Sequence, residues 1–302
     1  MDPLSDVLSL LQVKSYMFGG FEVGGPWSVS YGEHKGIKCY GITSGACFLA
    51  VEGAGAPVRL VEGDLFILPR GLPFRLATDL DLEPVDFREF LQRPADGGVV
   101  MINGGGDFGM IGGHFAITGG SAGMLIDVLP PIVHINRQDD REAFLWSIAR
   151  MRHELAEPRP GSYLMGEHMA HMLLLQALRA YLEGNEHRDA GWLSALTDPQ
   201  IGAAISAIHA EPSRRWTLAG LAQQAGMSRS SFAERFRRLV GSTPMDYLTR
   251  WRMLLAADRL KSAKEPVGRI ALSLGYESEA AFSTAFKRVM GTSPRQHGDK
   301  AA

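Results

Sequence analysis

A chain of 302 residues that is 45% hydrophobic and 21% charged has the composition of a globular protein of about two domains, which makes membrane and disordered classes poor fits. No apolar run approaches the roughly 18 to 20 residues of a membrane-spanning helix, and Met1-Asp2-Pro3 does not open a secretory leader, so a cytoplasmic protein with no membrane partner is expected. The net charge of −2 conceals a division: from residue 198 onward 16 Lys and Arg stand against 9 Asp and Glu, giving +7, while residues 1–197 hold 15 against 24, giving −9; such opposed halves point to a polyanion for the basic one.

The first 135 residues are rich in glycine and carry short apolar runs, such as 38–42 and 47–51, between turn signals at Ser44-Gly45 and 52–55. That spacing predicts an antiparallel sandwich or small barrel. If Ser44-Gly45 closes a two-residue hairpin, Cys47 shares a face with Ile42 while Cys39 points to the other side, so a bond between the two cysteines is disfavoured. Buried, inert thiols are expected; redox sensing by Cys39 or Cys47 is the alternative. The stretch Glu62-Gly63-Asp64-Leu65-Phe66-Ile67-Leu68-Pro69-Arg70-Gly71-Leu72-Pro73-Phe74 resembles the second cupin motif, with Phe74 in the histidine position. No His-x-His pair with a glutamate stands around residues 45–51 to supply the first motif. Without those imidazole and carboxylate donors, no metal, cofactor or catalytic residue is assigned, and a cupin-type metal-dependent oxygenase or isomerase fused to a DNA-binding module is the weaker reading. The resemblance implies that residues 1–135 form a cupin-like, effector-binding barrel, with Tyr40, Phe48, Phe66, Phe74 and His114 as candidate pocket residues. His34, His114 and His134 are scattered without ligand spacing, and Gly104-Gly105-Gly106 reads as a loop.

Beyond residue 136 the pattern turns helical. Residues 139–157 and 162–183 carry apolar side chains three and four apart on either side of Pro158-Arg159-Pro160-Gly161, which predicts a helical hairpin over 136–184. Leu164, His168, Met172, Leu175 and Leu182 form a stripe on the second helix, with Met165, Met169, Leu173 and Ala180 beside it. This is wider than one neighbour needs, and it makes the hairpin a candidate homodimer interface. Residues 185–197 read as a linker.

The basic segment, 198–302, contains a repeat. Phe232, Phe236, Gly241 and Pro244 recur 50 residues later as Phe282, Phe286, Gly291 and Pro294, and Leu221, Ala222 and Gly226 recur 49 later as Ile270, Ala271 and Gly275. Each copy reads as helix, tight turn, helix. Thr217 caps 218–225, Gly226 suits a left-handed C-terminal position, and Ser228 caps a helix with Phe232, Phe236 and Leu239 on one face. In the second copy Pro266 fits the first helical position, Gly275 ends that helix, and Ser278 caps one that buries Phe282, Phe286 and Val289. Between the copies, residues 245–262 form a helix roughly 27 Å long, of the order of the ~34 Å between successive major-groove faces. A basic surface of Arg229, Arg235, Arg237, Arg238, Arg250, Arg252, Lys287 and Arg288 accompanies them.

Residues 198–297 resemble the AraC/XylS family of transcriptional regulators, most specifically over 266–294, where Ile270, Ala271, Gly275, Tyr276, Ser278, Phe282, Phe286, Gly291 and Pro294 follow the family pattern. The resemblance implies recognition helices at 228–240 and 278–290. Base contacts are then expected from Arg229, Ser230, Ala233 and Glu234, and from Glu279, Ala280, Ser283 and Thr284. Phosphate contacts are expected from Ser228, Arg237, Arg238, Ser278, Lys287 and Arg288. The second helix lacks long donors, so it reads thymine methyls and shape while the first carries most base specificity. The expected molecule is α+β in two domains: a cupin-like β-barrel with a helical hairpin, and an all-α double helix-turn-helix. It binds promoter or operator double-stranded DNA under control of a small-molecule effector, with RNA polymerase as a further partner, and it is not an enzyme.

Overall fold

The computed structural model describes residues 2–10, 14–90, 99–116, 129–136, 138–157, 159–184, 191–262 and 265–299. They fall into two compact units, one built from residues within 13–117 and 129–185, the other from residues within 1–12 and 186–302.

The first unit is a pair of facing sheets. Strands β1 (Lys14–Val23), β3 (Ile37–Ser44), β6 (Leu65–Leu68), β9 (Val99–Ile102), β10 (Phe108–Ala116) and β11 (Val133–Ile135) form one sheet in the order β11-β6-β3-β10-β1-β9. The second sheet, β5-β4-β7-β2-β8, comprises β2 (Ser28–Tyr31), β4 (Ala46–Val51), β5 (Val58–Val61), β7 (Phe74–Ala77) and β8 (Val85–Asp86). Alternation places Ile42, Phe66, Leu68 and Met110 of one sheet against Val29, Tyr31, Cys47, Leu49, Phe74 and Leu76 of the other, which is the core of the barrel.

The hairpin expected at Ser44-Gly45 is not one. β3 pairs with β6 and β10, whereas β4 pairs with β5 and β7, so Gly45, at φ +73°, turns a corner between sheets. A Cβ there would meet the Asp107 carbonyl oxygen at 2.2 Å. Cys47 therefore pairs with Leu60 and not with Ile42. The two cysteines still point to different sides: Cys47 belongs to the core between the sheets, while Cys39 is buried opposite the inward-facing Lys38 and Tyr40.

Two helices, α2 (Gln138–Ala156) and α3 (Ser162–Glu183), pack on the outer face of the six-stranded sheet. Two glycines on that face leave room for them. A Cβ on Gly41 would lie 2.1 Å from Ile148 of α2, and one on Gly113 would lie 3.1 Å from Ala170 of α3. On α3, Met169, Leu173 and Ala180 are buried, Met172, Leu175 and Leu182 are half-buried, and Leu164, Met165 and His168 are exposed. Pro158, in the turn between the helices, lies outside the described residues.

The second unit begins with α1 (Pro3–Leu10), a helix not foreseen because residues 1–135 read as barrel. Its Leu4 and Val7 are buried, and it packs on α5 (Pro199–Ala210) and α8 (Pro244–Ser262). Of the linker expected at 185–197, residues 185–190 lie outside the described residues; the remainder includes the helical turn α4 (Trp192–Ala195), with Trp192, Leu193 and Ala195 buried. α4 packs on α7 (Arg229–Val240). The stretch reads as polar because Ser194 and Thr197 dilute it, but Trp192 belongs to the packed module. The remaining helices are α6 (Leu218–Gln224), α9 (Val267–Ser273), α10 (Glu279–Met290) and α11 (Pro294–Asp299).

The strut α8 serves two hydrophobic clusters. Tyr247 meets the ring of Phe236 at 5.9 Å, while Met253, Ala256 and Ala257 pack with Ile270, Ala271, Leu274, Phe282 and Phe286. His209 lies between α1 and the strut, stacked on Trp251 at 3.9 Å and hydrogen-bonded to the Tyr247 hydroxyl at 2.9 Å. Burial lowers its pKa to about 3, so it is a neutral ring, and Asp6 Oδ2 at 3.4 Å from its Nδ1 makes no ion pair with it.

Candidate functional site

The two helix-turn-helix units are built by the same local chemistry. Thr217 caps α6 by accepting the Gly220 N–H. At its end the Met227 amide reaches back to the Ala222 carbonyl, just as the Tyr276 amide reaches back to Ala271 in the second unit. Gly226 and Gly275 take φ +62° and +80° at these turns, which side-chain-bearing residues adopt at a cost. Pro266 departs from the expected position: it is the N-cap of α9, with ψ 137°, and the helix starts at Val267.

α7 and α10 are capped by Ser228 and Ser278, which accept the Ser231 and Ala281 amides at 3.2 Å. Each ends in a left-handed glycine, Gly241 or Gly291, whose N–H returns to the Arg237 or Lys287 carbonyl. Their side-chain exposure is the same, position for position, at an offset of 50. Phe232 and Phe236, or Phe282 and Phe286, are fully buried, and positions 229, 230, 234, 237 and 238 are exposed, as are 279, 280, 284, 287 and 288. At about 100° per residue, Arg229, Ser230, Ala233, Glu234 and Arg237 span an arc of about 140° beside the phenylalanine face, with Arg229 at the edge next to Phe236. Glu279, Ala280, Ser283, Thr284 and Lys287 do the same on α10; the exposed Arg237 and Lys287 lie nearest the centre of each arc, and Ala233 and Ser283 are half-buried.

The structure sorts these side chains further. Thr284 donates its hydroxyl to the Ala280 carbonyl at 3.0 Å, so its methyl and an oxygen lone pair are what it offers outward. Ser228 and Ser278 use their oxygens for capping. Arg235, part of the expected basic surface, is instead a structural anchor, donating to Asp198 Oδ2 and to Gln200 Oε1. Asp198 caps α5 by accepting from Gln200 and Ile201; these bonds and the guanidinium hold its carboxyl below the ordinary range against the opposing effect of burial. Arg252 is likewise engaged, by the Pro212 and Arg214 carbonyls, and it lies 5.6 Å from the Tyr276 ring. The basic candidates that remain exposed on the two arcs and their flanks are Arg229, Arg237, Arg238, Lys287 and Arg288. An open groove of about 600 Å³ runs beside the first arc, lined by Leu218, Ala233, Glu234, Arg237, Arg238, Thr243, Pro244 and Met245.

In the barrel, Phe66 and Phe74 belong to the core and Tyr40 packs against it. Phe48 does not: it alternates with the inward Cys47 and Leu49, so it faces out of the barrel. The turn at Ser44-Gly45 hides this in the sequence, because alternation names two faces without saying which is inside. His114 is half-buried, pairs across the sheet with Lys38, and holds the Lys35 carbonyl through Nε2. His34, scattered in sequence, lies 5.7 Å from His114 ring to ring. His134 bonds Asp64 at 2.9 Å. No three His, Cys, Asp or Glu side chains converge on a metal-sized site among the described residues. Burial raises the Cys39 and Cys47 thiols to about 12, so thiolate is scarce at either one.

Lys38 was not singled out from sequence. It lies on β3 in phase with Tyr40 and Ile42, and a lysine alternating into an apolar face was the available signal. It is 8% exposed, and its ammonium lies 5.7 Å from the Tyr31 ring, 6.0 Å from Tyr40 and 5.7 Å from Phe74. Burial lowers its pKa to about 8.

Known proteins share both halves of this architecture. A cupin domain model matches residues 2–183, and a helix-turn-helix domain model matches residues 221–299. The chain is 39% identical to an AraC-like transcription regulator of Streptomyces antibioticus, over 97% of each chain. It is 27% identical to the HTH-type transcriptional regulator AlkR of Acinetobacter baylyi, over 98% of this chain and 99% of that one. Among solved structures, it is similar to the DNA-binding domain of the global transcriptional factor AdpA in complex with a target DNA, with 29% identity, a TM-score of 0.33, and coverage of 34% of this chain and 91% of that one. Among the described residues, no helix is long and apolar enough to cross a membrane.

Proposed function

We propose a mechanism from the premise that the chain belongs to the AraC family of transcriptional regulators, as a DNA-binding regulator with an N-terminal cupin domain and a C-terminal helix-turn-helix domain. α7 and α10 each enter a major groove of one duplex, with the 19-residue strut α8 between them, about 28 Å long at 1.5 Å per residue. Arg229, Ser230, Ala233 and Glu234 read base edges from the first helix. Glu279, Ala280, Ser283 and the Thr284 methyl read shape and thymine methyls from the second. Arg237, Arg238, Lys287 and Arg288 neutralise phosphates and set affinity. The observation that carries this reading is the identical exposure pattern of α7 and α10, which presents two equivalent outward arcs and buries nothing but their phenylalanine faces.

A small effector bound among Tyr40, Phe66, Phe74 and His114 of the barrel shifts DNA affinity by linkage: it favours whichever arrangement of the DNA modules accommodates it. Two copies associate through the exposed side of α3 around Leu164, Met165 and His168, so that paired half-sites gain avidity. The test is fluorescence anisotropy of the full chain on DNA from upstream of its own gene and on scrambled duplexes. The expected result is at least a roughly thousandfold preference for its own site. Similar affinity for both would leave only a non-specific DNA binder.

A further inference from the structure

Inside the barrel, Lys38 is a cation with no counter-ion among the described residues. Lys38 extends from β3 across the space between the sheets, flanked on its own sheet by Leu68 and His114 and faced on the other by Tyr31 and Phe74, which stack on each other at 4.3 Å. No hydrogen bond or ion pair reaches its ammonium from any described residue; its neighbours are rings. The other titratable groups facing this space among the described residues are Tyr31, Tyr40, Cys47, His34 and His114, and none is a carboxylate.

A second, independent group points the same way. The Tyr31 hydroxyl is buried with no hydrogen-bond partner. Both ring nitrogens of His34 are buried and lack a bond of good geometry, although the Leu68 and Gly32 carbonyls lie near enough to act on its pKa. A buried donor left unpaired destabilises the fold. A domain carrying an excess of acidic residues would satisfy a lysine with one of its own carboxylates if pairing were the only requirement. The imidazoles have backbone carbonyls within reach, whereas the Lys38 ammonium and the Tyr31 hydroxyl, both donors, have none among the described residues; what these two lack is an acceptor, and for the ammonium one bearing negative charge.

We propose that the barrel takes an organic carboxylate, its two oxygens on the Lys38 ammonium and the Tyr31 hydroxyl and its apolar body against Tyr40, Phe66 and Phe74. One cation and one hydroxyl match a singly charged, two-oxygen acceptor, and the surrounding rings suit a hydrocarbon body. This deepens the effector reading above and rests on it only for the consequence at DNA. Because burial lowers the Lys38 pKa to about 8, binding of an anion takes up a proton around that pH and weakens above it.

The test uses the full chain and four probes, sodium benzoate and sodium hexanoate against the neutral amides benzamide and hexanamide, followed by calorimetric binding and thermal denaturation at pH 6.5 and pH 9.5. The acids should bind and raise the melting temperature while the amides do not. Affinity should fall about tenfold or more in Lys38→Met and in Tyr31→Phe, which loses one hydroxyl and keeps the ring. It should also be weaker at pH 9.5. Equal response to acids and amides, an undiminished response in Lys38→Met, or no Lys38-dependent response to either acid would overturn the proposal. DNA affinity separates the two readings. Lys38-dependent carboxylate binding that leaves DNA affinity unchanged keeps the anion site and removes its effector role. A neutral compound that shifts DNA affinity equally in wild type and Lys38→Met keeps an effector and removes the anion site.

Discussion

Replacing Lys38 by methionine should stabilise the ligand-free protein at neutral pH. The folded chain holds an ammonium that is 8% exposed and whose pKa falls from 10.5 to about 8 through burial. At about 1.4 kcal/mol per tenfold change in proton affinity, that fall corresponds to roughly 3 kcal/mol of destabilisation. Below pH 8 both folded and unfolded chains carry the proton, so the whole cost is present. Between pH 8 and pH 10.5 the folded chain releases it while the unfolded chain retains it, so stability rises with pH and the cost disappears. Methionine has similar length and no charge, and there is no hydrogen bond for it to break. Calorimetric unfolding of the two proteins from pH 6 to pH 10 should therefore show Lys38→Met more stable by about 3 kcal/mol at the acid end, with the gap closing above pH 8. A variant less stable than wild type at pH 7, or a gap independent of pH, would show that the rings satisfy the ammonium and that the site needs no anion.

Other perturbations follow the same physics. Alanine at Arg237, Arg238, Lys287 or Arg288 should lower the slope of log affinity against log salt by about 0.9 for each phosphate that is no longer neutralised, measured by anisotropy between roughly 50 and 200 mM salt; an unchanged slope would remove that residue from the phosphate set. Arg229→Ala should relax base discrimination more than Ser283→Ala in a randomised-site selection, and equal losses would contradict the unequal roles of the two helices. Phe232→Ala and Phe282→Ala, each emptying a fully buried position, should cost about 3–5 kcal/mol in denaturant melts, and a cost below ~1 kcal/mol would refute their place in the core. Because burial lowers the His209 pKa to about 3, the unfolded chain binds the extra proton below pH 6.5; the C-terminal module should lose stability on acidification from pH 6.5 toward pH 3, and His209→Phe should flatten that dependence.

How far the sequence could be read depended on whether the determining contacts were local. The helix-turn-helix units were legible almost residue by residue, because caps at Thr217, Ser228 and Ser278 and left-handed turns at Gly226 and Gly275 are chemistry within one or two turns of chain. The 50-residue repeat then identified which residues share an outward face. The barrel was legible as a class but not in its pairing. Alternation shows that Cys47 and Phe48 face opposite ways, yet only the partners of β4 decide which of them is inside. The same non-local choice hid Lys38, whose neighbours Tyr31 and Phe74 come from strands of the other sheet. Arg235 read as DNA surface because its partner, Asp198, is 37 positions away. Helix α1 was missed because Leu4 and Val7 find their burial against helices some 200 residues later in the chain.

The central claim is that two equivalent helices of one chain meet one duplex. Hydroxyl-radical footprinting of the full chain on its upstream DNA tests it most directly. Two protected patches per bound chain, on one side of the duplex and about one helical turn, ~34 Å, apart, are expected, with the patch assigned to α10 lost in a chain carrying Ser283→Arg and Lys287→Ala. A single protected patch per chain, or protection that does not depend on sequence, would contradict it.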